Sequence, residues 1–257
     1  MTIKAFIFDV DGTLAETERN GHRVAFNRAF SESGLDWHWD PNLYGELLAV
    51  TGGKERMRHY WRTIDPMAAE PTCAEELFRR LHRRKNEIYS EMVASGSIEL
   101  RAGVRRLLRE ARERGYLLGI ATTTTLENVE VLLRSTMGTM ATSLFQCIGA
   151  GAVVVDKKPA PDIYEWVLRR LGVQAEECVA FEDSLPGLHS ARQAGLETVI
   201  TPSEYSCNSA FPHALAVLDG LGEPGSPASG MAVGKSWSGV VGVDQILQWI
   251  EARETTS

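Results

Sequence analysis

The N-terminal stretch IFDVDGTL sets Asp9 and Asp11 one residue apart, directly after an apolar run and directly before a Gly-Thr pair. Other polar residues stand at comparable points along the chain. Thr122 and Thr123 follow YLLGIA, Lys158 lies in KKPAPD just ahead of a helical pattern, and Glu182 and Asp183 close CVAFED. Carboxylates gathered from several strand ends repel one another, and desolvation raises their pKa values. A hard cation with oxygen ligands removes that cost. Mg²⁺ is the expected cofactor, because it needs few protein ligands and completes its shell with a substrate phosphate. Lys158 and the Thr122 hydroxyl then suit the remaining phosphate oxygens, so phosphoryl chemistry is the expectation.

Positioning these groups requires a sheet. Residues 4–10 read as a buried strand followed by an Asp-Gly turn signal. Residues 16–34, 41–50, 54–61 and 74–94 read as helices, with no convincing strand between Leu14 and Ile98. After Glu99, helical and strand patterns alternate, with FQCIGAG and AVVV as two short strands. Such alternation implies an α/β fold, a doubly wound parallel sheet with helices on both faces. The helical block falls in the loop after the first strand, so it reads as an inserted, small all-helical cap, residues 16–95, in an α/β core made of residues 1–15 and 96–257. Ligands of open α/β sheets bind at the carboxyl edge of the strands. The Gly-, Pro- and Ser-rich segment from Glu223 to Ser238 reads as a surface loop before a final helix over residues 243–252.

Bulk properties narrow the function. The 257 residues carry a net charge of -7, which argues against nucleic acid or an anionic membrane as partner. Cys73, Cys147, Cys178 and Cys207 lie far apart without a CxxC pair. That argues against a zinc site or a disulfide framework and fits a reducing compartment. No apolar run approaches the ~20 residues of a membrane helix. A cytoplasmic location is expected, or an organellar stroma if a leader has been removed. The expected partner is a small phosphorylated sugar, with monomer and dimer given equal weight.

DVDGTL, a strand-terminal threonine, KPAPD and FEDS, in that order, resemble the four motifs of the haloacid dehalogenase superfamily, and the match spans nearly the whole chain. The helical insertion between the first two motifs is similar to that superfamily's cap of the first class. DVDGTLAETERNGHRVAFN with the later TGGKERM most resembles the CbbY-like branch, Calvin-cycle-associated phosphatases that act on pentulose bisphosphates such as xylulose 1,5-bisphosphate. The resemblance implies that Asp9 is the nucleophile and Asp11 the acid/base. It implies Mg²⁺ held by Asp9, the Asp11 backbone carbonyl and Asp183, with Glu182 as a ligand or beside the ligands. A β-phosphoglucomutase-like phosphotransferase, or a phosphatase of broad small-sugar-phosphate range, shares all four motifs and stands as the alternative.

In the helical block, Glu16, His22 and Arg23 follow the first motif, and Gly53, Lys54 and Arg56 lie in TGGKERM. They are candidate substrate contacts together with Thr123. Gly52 and Gly53 suit a close backbone approach, and the helix start after them suits an anion. Lys54 and Arg56 read as holders of a second, non-reacting phosphate. The run RRLHRRK, residues 79–85, reads instead as a solvated helix face.

Overall fold

The computed structural model describes residues 2–66 and 71–255, and the Cys73 side chain lies outside what is described. In chain order the elements begin with β1 (Ala5–Phe8), a π-helical turn (Glu18–His22), α1 (Arg23–Glu32), α2 (Pro41–Leu47), α3 (Gly53–Ile64) and α4 (Pro71–Ala94). There follow α5 (Val104–Glu113), β2 (Leu117–Ala121), α6 (Leu126–Met137), β3 (Cys147–Gly149), α7 (Asp162–Leu171), β4 (Cys178–Glu182), α8 (Leu185–Gln193) and β5 (Glu197–Ile200). The chain closes with β6 (Ala216–Leu218), β7 (Ala228–Ala232), β8 (Lys235–Gly239) and α9 (Val243–Glu254). Two compact units result, one of Met1–Glu16 with Glu99–Ser257 and one of Thr17–Ile98.

The first unit is an α/β sheet of order β3-β2-β1-β4-β5-β6-β7-β8. The pairings from β3 through to β6 are parallel, and those of β7 with β6 and β8 are antiparallel. The Ala-Phe-Ile-Phe of β1 is apolar throughout because neighbours flank it on both sides and all four residues are buried. Strand order reverses between β1 and β4. Connections leave the sheet there in opposite directions, which opens a crevice at the carboxyl ends of those two strands. Asp9 and Asp183 follow them directly.

The second unit is built on aromatic packing. Phe26, Phe30, Trp39 and Tyr44 are fully buried and lie ring to ring, with Phe26 4.8 Å and Phe30 4.9 Å from Trp39. α2 is held at its start by Asp40, whose carboxylate accepts the Asn42 and Leu43 N–H groups at 2.8 and 3.0 Å. Among the described residues no helix is long and apolar enough to cross a membrane.

Three sequence expectations differ from the structure. AVVV is not a strand: the segment after β3 turns away, and Val155 is 93% exposed. At the turn after β3, Gly151 lies so close to the Thr123 carbonyl that a Cβ would stand 2.3 Å from it, and its N–H donates to the Thr124 carbonyl at 2.8 Å. The segment from Glu223 to Ser238 is not simply a loop, since β7 lies in it and forms a hairpin with β8, which ends one residue beyond it. Val233 and Gly234 take φ values of 49° and 73°, the left-handed geometry of a tight turn between strands. Its Gly- and Ser-rich strands escape a pattern search because the hairpin buries little. Finally, Lys85 does not lie on a solvated face but is buried.

Candidate active site

β1 delivers Asp9 rigidly, for the Asp9 N–H donates to the Phe181 carbonyl of β4 at 3.0 Å. The chain then turns at Gly12, which has φ +85° and packs so closely on Asp183 that a Cβ would sit 2.3 Å from Oδ2. Only glycine allows this loop to meet that carboxylate. Asp183 is fixed from behind, since its carbonyl accepts the Ser206 hydroxyl at 2.6 Å and Ser206 Oγ accepts the Ser203 N–H at 2.8 Å.

Lys158 ties the strand ends together. Its Nζ donates to Asp9 Oδ1 at 2.6 Å, Glu182 Oε1 at 2.6 Å and the Ala121 carbonyl at 2.8 Å. These acceptors come from the ends of β1, β4 and β2, three adjacent strands. Glu182 Oε1 also accepts the Tyr164 hydroxyl at 2.7 Å, and Lys158 Nζ stands 5.2 Å from the centre of the Tyr164 ring. The other Glu182 oxygen faces the first turn of α8, where a Cβ on Gly187 would come within 1.9 Å of Oε2.

Asp9, Glu182 and Asp183 are buried, and carboxylate oxygens from all three lie within 4.8 Å of one another. Burial pushes the Asp9 pKa well up. Lys158 opposes this, while Glu182, Asp183 and Asp11 add to it. Burial likewise works against charge on Lys158, but Asp9 and Glu182 outweigh it and hold the ammonium above its ordinary range. Three buried carboxylates facing one ammonium carry excess negative charge among hard oxygen donors. That donor set fits Mg²⁺.

The remaining core candidates are also accounted for. Thr122 is buried one residue past β2, with its N–H on the Gly149 carbonyl at 2.9 Å and its hydroxyl accepting the Thr124 N–H at 3.2 Å. Thr123 and Asp11 are half-buried. Glu16 is exposed and pairs with Arg101 at 3.5 Å.

Residues 3–195 match the haloacid dehalogenase-like hydrolase family. The chain belongs to that family. It is an enzyme, a phosphatase of the haloacid dehalogenase-like class. Among its relatives is the plasmid-encoded protein CbbY of Cupriavidus necator, 49% identical over 225 residues, 88% of each chain. The crystal structure of CbbY from Rhodobacter sphaeroides in complex with phosphate is 45% identical, with a TM-score of 0.79 over 85% of this chain and 95% of that one. A mutant of the same protein in complex with xylulose 1,5-bisphosphate is 44% identical, with a TM-score of 0.78 over the same shares.

The helical candidates of this haloacid dehalogenase-like hydrolase lie in the other unit. His22 is buried, stacks 4.1 Å from Tyr89 and has Nδ1 2.9 Å from Lys85 Nζ. Arg23 reaches the carbonyls of Arg19 and Trp39 at 3.1 and 3.2 Å. Gly53 opens α3 so close to His82 that a Cβ would stand 2.9 Å from its ring, and Lys54 follows half-buried. Arg56 is buried, donating to the Leu47 and Val50 carbonyls and, at 3.0 Å, to the Tyr44 hydroxyl, which itself donates to Glu18 at 2.5 Å. These contacts of Arg56 all lie inside the helical unit.

Sequence reasoning missed Tyr164, Ser206 and Arg101, and it misread Lys85 as solvated. Tyr164 carried a usable signal, because it lies in the apolar stripe of α7 with Ile163, Val167 and Leu168. A buried phenol there must find a partner. Arg101 carried none.

Proposed function

We propose that this enzyme is a Mg²⁺-dependent phosphatase of small sugar phosphates, with xylulose 1,5-bisphosphate as its best substrate, working through an aspartyl-phosphate. The observation that carries this reading is Lys158 bridging Asp9 and Glu182 beside Asp183. Asp9 and Asp183, with the Asp11 carbonyl, would hold Mg²⁺, which lowers the repulsion between an anionic nucleophile and an anionic phosphate. Glu182, with Oε1 already accepting from Lys158 and Tyr164, serves to hold Lys158.

Asp9 attacks phosphorus while the bond to the sugar oxygen breaks, and Asp11 protonates the departing oxygen. Water then gives a proton to Asp11 and attacks phosphorus. The Asp9–phosphorus bond breaks, and inorganic phosphate leaves. Lys158 and Thr122 steady the phosphate oxygens. The xylulose 1,5-bisphosphate bound in the CbbY structure supports the sugar assignment. Insertion of the helical unit after β1 supports its role as a cap that selects the sugar, with Lys54 favouring a second phosphate. The free thiols of Cys147, Cys178 and Cys207 fit a reducing compartment.

The test is phosphate release from a panel of sugar phosphates. Xylulose 1,5-bisphosphate should be turned over fastest, chelation of Mg²⁺ should stop the reaction, and Asp9→Asn should abolish it. Isomerised sugar phosphate without free phosphate would instead establish a mutase.

A further inference from the structure

Arg101 stands where the chain re-enters the first unit, two residues after Glu99, and Glu16 is the last residue before the chain leaves it. The two passages are stitched together: Arg101 N–H donates to the Leu14 carbonyl at 2.9 Å, and Ala15 bridges Leu100 in antiparallel fashion. The Arg101 side chain, only 12% exposed, then grips three further points. Its Nη1 donates to the Gly12 carbonyl and, at 2.6 Å, to the Thr201 carbonyl, while Nη2 donates to the Pro202 carbonyl at 2.9 Å. Nε lies 3.5 Å from Glu16.

Gly12 follows Asp11 directly. Asp9 is held by the β1–β4 ladder through its own N–H, but the Asp11–Gly12 turn lies beyond β1. Within its own loop the turn is tied by the Gly12 N–H on the Ala15 carbonyl at 2.8 Å, by an Asp11–Ala15 bridge and by the Leu14 N–H on the Val10 carbonyl at 2.9 Å; from outside that loop Arg101 donates to the Gly12 carbonyl. A planar guanidinium satisfies several carbonyls at fixed angles, which a lysine cannot copy.

We propose that Arg101 is a positioning residue for the acid/base Asp11, independent of the nucleophile Asp9. The inference rests on the proposed roles of Asp9 and Asp11. It makes the two chemical steps separable. p-Nitrophenolate departs without protonation, so its first step needs Asp9 but not the Asp11 carboxyl group. Hydrolysis of the aspartyl-phosphate needs Asp11 whatever the leaving group.

The experiment is rapid mixing of wild type, Arg101→Lys and Arg101→Met with p-nitrophenyl phosphate and Mg²⁺, alongside steady-state turnover of a sugar phosphate. Both Arg101 variants should give a burst of about one nitrophenolate per enzyme at near wild-type rate, followed by turnover at least ~10-fold slower. Sugar-phosphate kcat should fall by the same factor or more, with KM little changed. Burst rate and steady state falling together would overturn the proposal, showing a general loosening of the site, as would wild-type kinetics in Arg101→Lys. If Arg101→Met does not fold, Arg101→Lys, which keeps the charge, decides. Asp11→Asn serves as the control. A full steady-state rate in that variant would refute the acid/base role of Asp11 itself, a failure distinct from that of Arg101.

Discussion

Two lysines are buried among the described residues, one in each unit, and they are held in opposite ways. Lys158 has two carboxylates and a backbone carbonyl within 2.8 Å. Lys85 has His22 Nδ1 at 2.9 Å and stands over the Phe26 and Tyr89 rings at 5.1 and 5.2 Å. The difference follows from the elements that surround them. Strands that end at a crevice leave carbonyls such as that of Ala121 pointing free, and the residues after them converge from several strands. Between helices the backbone carbonyls are consumed by i→i+4 bonds, so a buried ammonium must be met by side chains, here an imidazole, the Asn86 side-chain carbonyl at 3.5 Å and aromatic faces. The first environment fixes charges for chemistry. The second packs a long side chain among rings.

The contrast can be broken most sharply at Lys158. Lys158→Met strands buried carboxylates without their cation, and the expected cost is about 3–5 kcal/mol by urea denaturation at neutral pH, with turnover lost. Removing the ammonium raises the folded-state pKa of Asp9 further above its unfolded value. The deficit should therefore shrink as pH falls and the carboxyl groups protonate. A cost below about 1 kcal/mol would show that Lys158 does not hold the site together.

A smaller effect is expected one shell outward. Tyr164→Phe keeps the ring under Lys158 but removes the 2.7 Å hydrogen bond to Glu182, at about 2 kcal/mol for a bond to a charged acceptor. The same denaturation series checks it, and an unchanged midpoint would remove Tyr164 from the network.

The smallest effect belongs to the helical unit. Lys85→Met exchanges an ammonium for an apolar chain that suits the same aromatic walls, so stability should change by about 1 kcal/mol or less. A loss as large as that of Lys158→Met would erase the distinction between the two sites.

Much of this was legible before any fold was known. Strand β1, its Asp-x-Asp-Gly ending and the polar ends of β2 and β4 each carry a local signal, because an apolar run that stops at charged residues marks a buried strand reaching a surface. The alternation after Glu99 gave the parallel sheet for the same reason. The hairpin of β7 and β8 was hidden, since Ala228–Ala232 and Lys235–Gly239 have neither apolar alternation nor burial to reveal them. Lys85 was misread because its neighbours Arg83 and Arg84 do reach solvent, and one position around a helix separates a wet face from a dry one.

What the sequence determined by itself was the set of reactive groups and the strand ends that carry them, since spacing along one chain encodes local structure. Only the tertiary structure decided which of those groups share a buried space. Asp9 and Lys158 are 149 residues apart, and their 2.6 Å contact exists because strand order, not sequence order, makes β1, β2 and β4 neighbours. The same holds for Arg101, whose reach to Gly12, Thr201 and Pro202 depends on loops that meet only once the sheet has formed.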